Sequence, residues 1–235
     1  MKTVSVLTIV SIAGVASAQA VSVGNGNPVN LGNDPFSNRA TLWDNGDTDG
    51  TNGYSQATSG VFGASRSTLD DFEVTDRAGW ILNDFHTLGL WTSGATGIGR
   101  GYNLTFWSDA GGAPGAPIAT ASVNSYAENV TGRTWFSRPE LAIDVTYDDI
   151  FLAPGRYWVE MQIVGPENHF QMVRSGVTGS EAWVNYADFG GLMPGSAIFG
   201  AAADIAYSLT GDVAPAPGAL ALLGLGGLAA ARRRR

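Results

Sequence analysis

Tyr102-Asn-Leu-Thr-Phe-Trp107, Leu141-Ala-Ile-Asp-Val-Thr-Tyr147 and Tyr157-Trp-Val-Glu-Met-Gln-Ile163 carry an apolar side chain at every second position. Successive side chains of an extended strand point to opposite faces, so a period of two sets one face on a core and the other in water. Around these segments Gly and Pro recur about every ten residues, and the stretches between them are short and rich in Val, Ile, Thr and aromatics. The pattern predicts strands at 40–43, 68–74, 80–91, 102–107, 118–126, 141–147, 156–164, 170–173, 182–186 and 204–209. Turns are expected at Ser108-Asp-Ala-Gly-Gly-Ala-Pro-Gly-Ala-Pro117 and Leu152-Ala-Pro-Gly155, where Pro fixes φ and Gly supplies positive φ. About ten strands in one open sheet would leave an apolar face wet, so the expected fold is all-β, a jelly-roll-like antiparallel β-sandwich. No internal repeat points to a solenoid or propeller.

The two ends read differently. Lys2, an apolar run at 4–15 and the small residues Ala16-Ser-Ala-Gln-Ala20 form the three-part pattern of a secretory signal peptide, with cleavage expected after Ala18 or Ala20. An apolar run of about a dozen residues is short against the roughly 20 that span a bilayer. At the other end Val213-Ala-Pro-Ala-Pro217 leads into a stretch rich in Leu, Gly and Ala at 218–231 and then Arg232, Arg233, Arg234 and Arg235. A proline hinge, an apolar transmembrane-like helix and a basic cluster make a stop-transfer arrangement, with the arginines held cytoplasmic. The expected organisation is a signal peptide at 1–20, one sandwich domain at 21–212 and a sorting tail at 213–235.

All 21 acidic residues fall between the ends, against eight arginines and no lysine, so the mature domain carries about −13 where the whole chain carries −8. Such a surface repels nucleic acid and anionic lipid and suits divalent cations and neutral polymers. Cysteine is absent, so an exported domain must hold itself by core burial or metal, and a lipid-anchored lipoprotein is excluded.

Pro215-Ala216-Pro217-Gly218, the Leu/Gly/Ala-rich stretch and the closing arginines resemble the tail of PEP-CTERM proteins, in the Pro-Ala-Pro form of planctomycete-type members, with Ala216 where the family name has Glu. The resemblance covers about the last twenty residues. It implies recognition by an exosortase-type membrane enzyme, transient anchoring in the inner membrane, and release or attachment at the cell surface or in exopolysaccharide. Leu42-Trp-Asp-Asn-Gly46, Leu69-Asp-Asp-Phe-Glu-Val74, the run from Gly101 to Gly115, Leu152-Ala-Pro-Gly-Arg-Tyr-Trp158 and Asp204-Ile-Ala-Tyr-Ser-Leu-Thr-Gly211 resemble the extracellular β-sandwich domains that often precede such tails. The expected role is structural or adhesive and not enzymatic, with exopolysaccharide or other envelope proteins as partners; a carbohydrate-binding module is the alternative and a secreted glycoside hydrolase the third reading.

The sharpest local motif is Asp44-Asn-Gly-Asp-Thr-Asp-Gly50. Asn45, Asp47 and Asp49 alternate before Gly50, matching the first half of a calcium loop, but the twelfth position is Gln56 and not a bidentate Glu. The motif therefore reads either as a weak calcium site or as an acidic turn. Asp70-Asp71, Asp148-Asp149 and the Glu140/Asp144 pair are the visible carboxylates for sugar hydrolysis, which needs two across a bond; adjacent strand residues diverge, and only Glu140 and Asp144 share a face. His86 and His169 lack the spacing of a zinc or serine-hydrolase site and are expected to be structural. Of the seven tryptophans, Trp135 and Trp183 are the candidates for exposed sugar platforms, the others falling in core-like strand positions.

Overall fold

The computed structural model describes residues 40–58, 63–174 and 176–215; the expected signal peptide and the tail from Ala216 onward lie outside them. Nearly all of the regular secondary structure in the described chain is antiparallel strand, arranged as two curled sheets. The first sheet runs β1 (Ala40–Asp44), β14 (Tyr207–Val213), β4 (Trp80–Trp91), β8 (Arg138–Leu152) and β7 (Val123–Trp135). Past the start of β14, the edge of β4 is taken by β10 (His169–Arg174), which pairs β2 (Gly53–Gln56) on its other side and meets β13 (Asp204–Ile205). The second sheet runs β12 (Gly191–Pro194), β11 (Trp183–Tyr186), β3 (Arg66–Val74), β9 (Gly155–Val164), β5 (Gly101–Asp109) and β6 (Pro114–Thr120).

The alternating residues do what their period requires. Leu82, Phe85, Val145, Tyr147 and Leu209 from the first sheet meet Phe72, Leu104, Phe106, Val159, Met161 and Val184 from the second in one core. Each such side chain contributes about 1.5–3 kcal/mol by leaving water. The outer face of the first sheet is covered too: Leu88, Leu90, Ala142, Met172 and Ala206 form a smaller cluster against Trp135 and Phe170. That second cover explains why β4 is buried along both faces, with Ile81 alone partly open. A polar strut crosses the interior, where Gln56 Nε2 donates to Thr68 Oγ1 at 2.8 Å and to the Met161 carbonyl at 2.9 Å, and Tyr102 donates to Gln56 Oε1 at 3.2 Å. Satisfied in this way, buried amides fix one packing of the sheets.

Several expected boundaries move. The segment 108–117 turns only at its middle, where Asp109 accepts the Gly111 and Gly112 N–H groups; Pro114 already begins β6, an edge strand on which a missing N–H costs nothing. The strand expected at 118–126 is broken after Thr120, and its second half crosses to the other sheet as β7. Strands β2 and β12 were not expected.

Both ends of the described chain sit together. Ala40 pairs with Gly211, Val213 pairs with Trp80, and the Ala214 N–H donates to the Gly79 carbonyl. From that end of β4 to the Gly89–Gln171 pair is nine residues of strand, about 30 Å at the usual rise. Among the described residues no helix is long and apolar enough to cross a membrane.

Candidate functional site

At the end of the sandwich away from Pro215, a cavity of about 410 Å³ opens between four separate segments. Thr51, Asn52, Gly53 and Tyr54 line it from the chain entering β2, Phe170 and Val173 from β10, and Phe199, Ala201 and Ala203 from the chain at and beyond the short helix α1 (Ser196–Phe199). Phe136 and Arg138 close it from the tip of the β7–β8 hairpin. The Tyr54 and Phe199 rings lie 4.9 Å apart. Phe136 is 51% exposed and Phe199 50%. Among the described residues Arg138 is the sole charged group on these walls, and it is held by backbone: Nε donates to the Thr92 carbonyl and Nη1 to the Phe136 carbonyl at 2.9 Å.

The hairpin tip is strained. Trp135 pairs with Arg138, and the two residues between them, Phe136 and Ser137, have φ of 51° and 59°. A two-residue hairpin turn of this kind ordinarily takes Asn-Gly, and a bulky residue at positive φ is an outlier. The backbone thus holds a phenyl ring in solvent at the mouth of an apolar cavity, against both its conformational preference and its hydration.

The acidic loop braces this tip. Asp47 accepts both terminal nitrogens of Arg133, at 2.5 and 2.8 Å, and Arg133 Nε donates to Glu140 Oε1 at 2.7 Å. Burial pushes the Asp47 carboxyl up, but the hydrogen bonds and charge of Arg133 outweigh it and hold it below the usual range. Trp135 donates its indole N–H to Glu140 Oε2. Gly50, at φ 69°, lies so close to the Trp135 ring that a Cβ there would come within 2.6 Å of it. Asp49 accepts the Thr51 and Asn52 N–H groups at 2.8 and 2.9 Å and so shapes the cavity wall.

Asn45, Asp47 and Asp49 are therefore engaged with three different sets of partners. Asp47 and Asp49 face the hairpin and the turn, whereas Asn45 is fully buried and donates to Asp70 and to the Ile205 carbonyl. Among the described residues no three His, Asp or Glu side chains gather as a metal site. Of the sorting residues only Pro215 is described, and it is exposed; Ala216, Pro217, Gly218 and Arg232 to Arg235 lie outside the described residues.

Glu140 and Asp144 do share a face of β8. Glu140 is engaged by Arg133, Trp135 and Thr131, and Asp144 by His86 Nδ1 at 2.7 Å and Asn129 at 3.1 Å. Asp70 points into the core while Asp71 turns outward to Arg156, whose Nε donates at 2.7 Å. His169 is fully buried with neither ring nitrogen hydrogen-bonded, and burial pushes its pKa down to about 3. Trp135 and Trp183 are both partly buried, Trp183 edge-on to Trp158 at 6.2 Å. Among the described residues the exposed rings are instead phenylalanines: 136, 151, 189 and 199. No local signal marked Phe136, since Trp135-Phe-Ser-Arg138 lacks the Gly or Asn of a tight turn, and the remaining rings come together only through tertiary pairing. Compared with protein families, with curated proteins and with solved structures, the chain matches none.

Proposed function

We propose that the chain is an exported protein of the bacterial cell surface or extracellular matrix, a jelly-roll-like sandwich with an adhesive or structural role and no catalytic one. Its C-terminal tail is read by an exosortase-type enzyme after transient insertion in the inner membrane, and its aromatic cavity is the contact with exopolysaccharide or a neighbouring envelope protein. The observation that carries the adhesive reading is Phe136, exposed on a strained turn beside that cavity. An exposed apolar group kept at a conformational cost marks a contact surface more than a packing position. Described cavity walls made mostly of aromatic and small apolar residues, their one arginine already held by backbone carbonyls, on a domain of about −13, favour an uncharged partner over nucleic acid. The same rings favour a carbohydrate-binding module as the second reading.

The full chain, returned to a bacterium that carries an exosortase, is expected in the surface or matrix fraction. The Phe136→Asn/Ser137→Gly variant should be exported equally but washed off the matrix. Recovery of the wild type from the cytoplasm sinks the export reading, and equal retention of the variant sinks the contact. A thermal shift with neutral glycans decides for the second reading.

A further inference from the structure

Apart from the cavity, a hydroxyl and two amides crowd together at the polar strut inside the sandwich. Thr68 comes from β3 of the second sheet, Gln56 and Gln171 from β2 and β10 of the first, and all three are fully buried. Thr68 Oγ1 donates to Gln171 Oε1 at 2.5 Å, the short limit for a hydroxyl donor. Gln56 Nε2 reaches three acceptors: Thr68 Oγ1, the Met161 carbonyl and Gln171 Oε1. An amide nitrogen has two hydrogens to give. The cluster is therefore packed more tightly than hydrogen bonds between separate side chains account for. A bond from Thr68 Oγ1 to the side-chain carbonyl carbon of Gln171 removes the excess. The two close oxygens then belong to one group, and Gln56 keeps two hydrogens for two acceptors, Gln171 Oε1 and the Met161 carbonyl.

We propose that Thr68 and Gln171 are joined by an ester that forms once in the folded chain, with loss of ammonia. The Thr68 oxygen attacks Cδ of Gln171, the bond from Cδ to Nε2 breaks, and the hydroxyl proton departs with that nitrogen. One hydroxyl and one amide become one ester and one ammonia, and nothing is oxidised or reduced. Each neighbour has a part in the step. Gln56 Nε2, donating to Gln171 Oε1, stabilises the charge that this oxygen takes up when the carbon becomes tetrahedral. Thr87 Oγ1 holds the departing nitrogen at 2.9 Å. His169 lies two residues before Gln171 on the same face of β10, and its ring covers Gly89, the cross-strand partner of Gln171, where a Cβ would come within 2.1 Å of it. That imidazole is fully buried, neutral and without a hydrogen-bond partner at either nitrogen, so a lone pair is at hand to relay the proton. Enclosure on all sides keeps water from the ester once it is made. In a chain without cysteine, the link ties the two sheets covalently, as disulfides do in many exported domains.

The test is proteolytic mapping of the full chain, purified and kept folded at neutral pH. Trypsin cuts after arginine, which places Thr68 in the peptide 67–77 and Gln171 in 157–174. The two are expected as one linked species, lighter by one ammonia than their sum and separated by mild alkali. Mapping is preferred to intact mass because Gln19, made N-terminal by cleavage after Ala18, would cyclise with the same loss. Thr68→Ser keeps the hydroxyl and should keep the link; Thr68→Val keeps the shape and should lose it. Where Thr68→Val does not fold, the maps of the wild type and Thr68→Ser decide alone. Separate peptides of full mass from the folded wild type overturn the proposal, as does a link that survives in Thr68→Val. A link from Thr68 to the peptide 40–66, which carries Gln56, overturns it too, because Gln171 would then be intact.

Discussion

Phe136 and Ser137 occupy the two central positions of a turn whose backbone asks for Asn-Gly. Each non-glycine residue held there costs of order 1 kcal/mol or more. The Phe136→Asn/Ser137→Gly variant should therefore gain about 1 kcal/mol, a rise of a few degrees in midpoint for a domain of this size. A stabilised protein that has lost its matrix contact is the signature of a site kept for use; a variant less stable than the wild type in urea melts would mean that the ring packs. His169 contributes a pH dependence of its own. Burial holds its folded pKa near 3, against about 6.5 in the unfolded chain, so between those values the unfolded state binds the extra proton. Its contribution is complete above about pH 6.5 and is lost as pH falls toward 3, up to about 5 kcal/mol over the whole window. Unfolding free energies from urea melts at pH 7 and pH 4.5 should differ by about 3 kcal/mol more in the wild type than in His169→Leu. An equal acid loss in both would put the titrating group elsewhere.

At the scale of elements, the β7–β8 hairpin is the one that tertiary contacts must hold down. Its brace has two unequal halves. Glu140 is fully buried and Arg133 is its cation, whereas Asp47 and Arg133 meet where both are about a third exposed. Arg133→Ala leaves an enclosed carboxylate without its counter-charge and should cost about 3 kcal/mol; Asp47→Ala breaks a solvent-screened pair and should cost less than about 1 kcal/mol. Chemical denaturation of the two variants checks the order, and equal losses would mean that Glu140 has another partner. The sequence shows such elements unevenly. Strand β4 begins and ends where its apolar pattern does, and β9 within a residue of it. Strands β2 and β12 are four residues each and begin with Gly, too short for a period to declare itself. In β7 polar residues lie on both faces because it is an edge strand, and only pairing with β8 reveals its length.

For the molecule as a whole, two packed sheets and their core were readable from alternation, because burial on one face is written in neighbouring residues. The cavity was not, because Tyr54, Phe136, Phe170 and Phe199 each look ordinary in their own segment. The acidic loop was readable as a motif, but not the division of labour within it, with Asn45 turned into the core and Asp47 turned to the hairpin. The placement of the ends adds a mechanical consequence. Strand β14 runs from the cavity end toward Pro215, held on one side by β1 and on the other by β4. Tension between a partner gripped in the cavity and a chain held by its tail would run along β14. Inter-strand hydrogen bonds of an antiparallel ladder lie perpendicular to the strand. They would be loaded together in shear, not opened one after another like a zip, which is the geometry that resists pulling best.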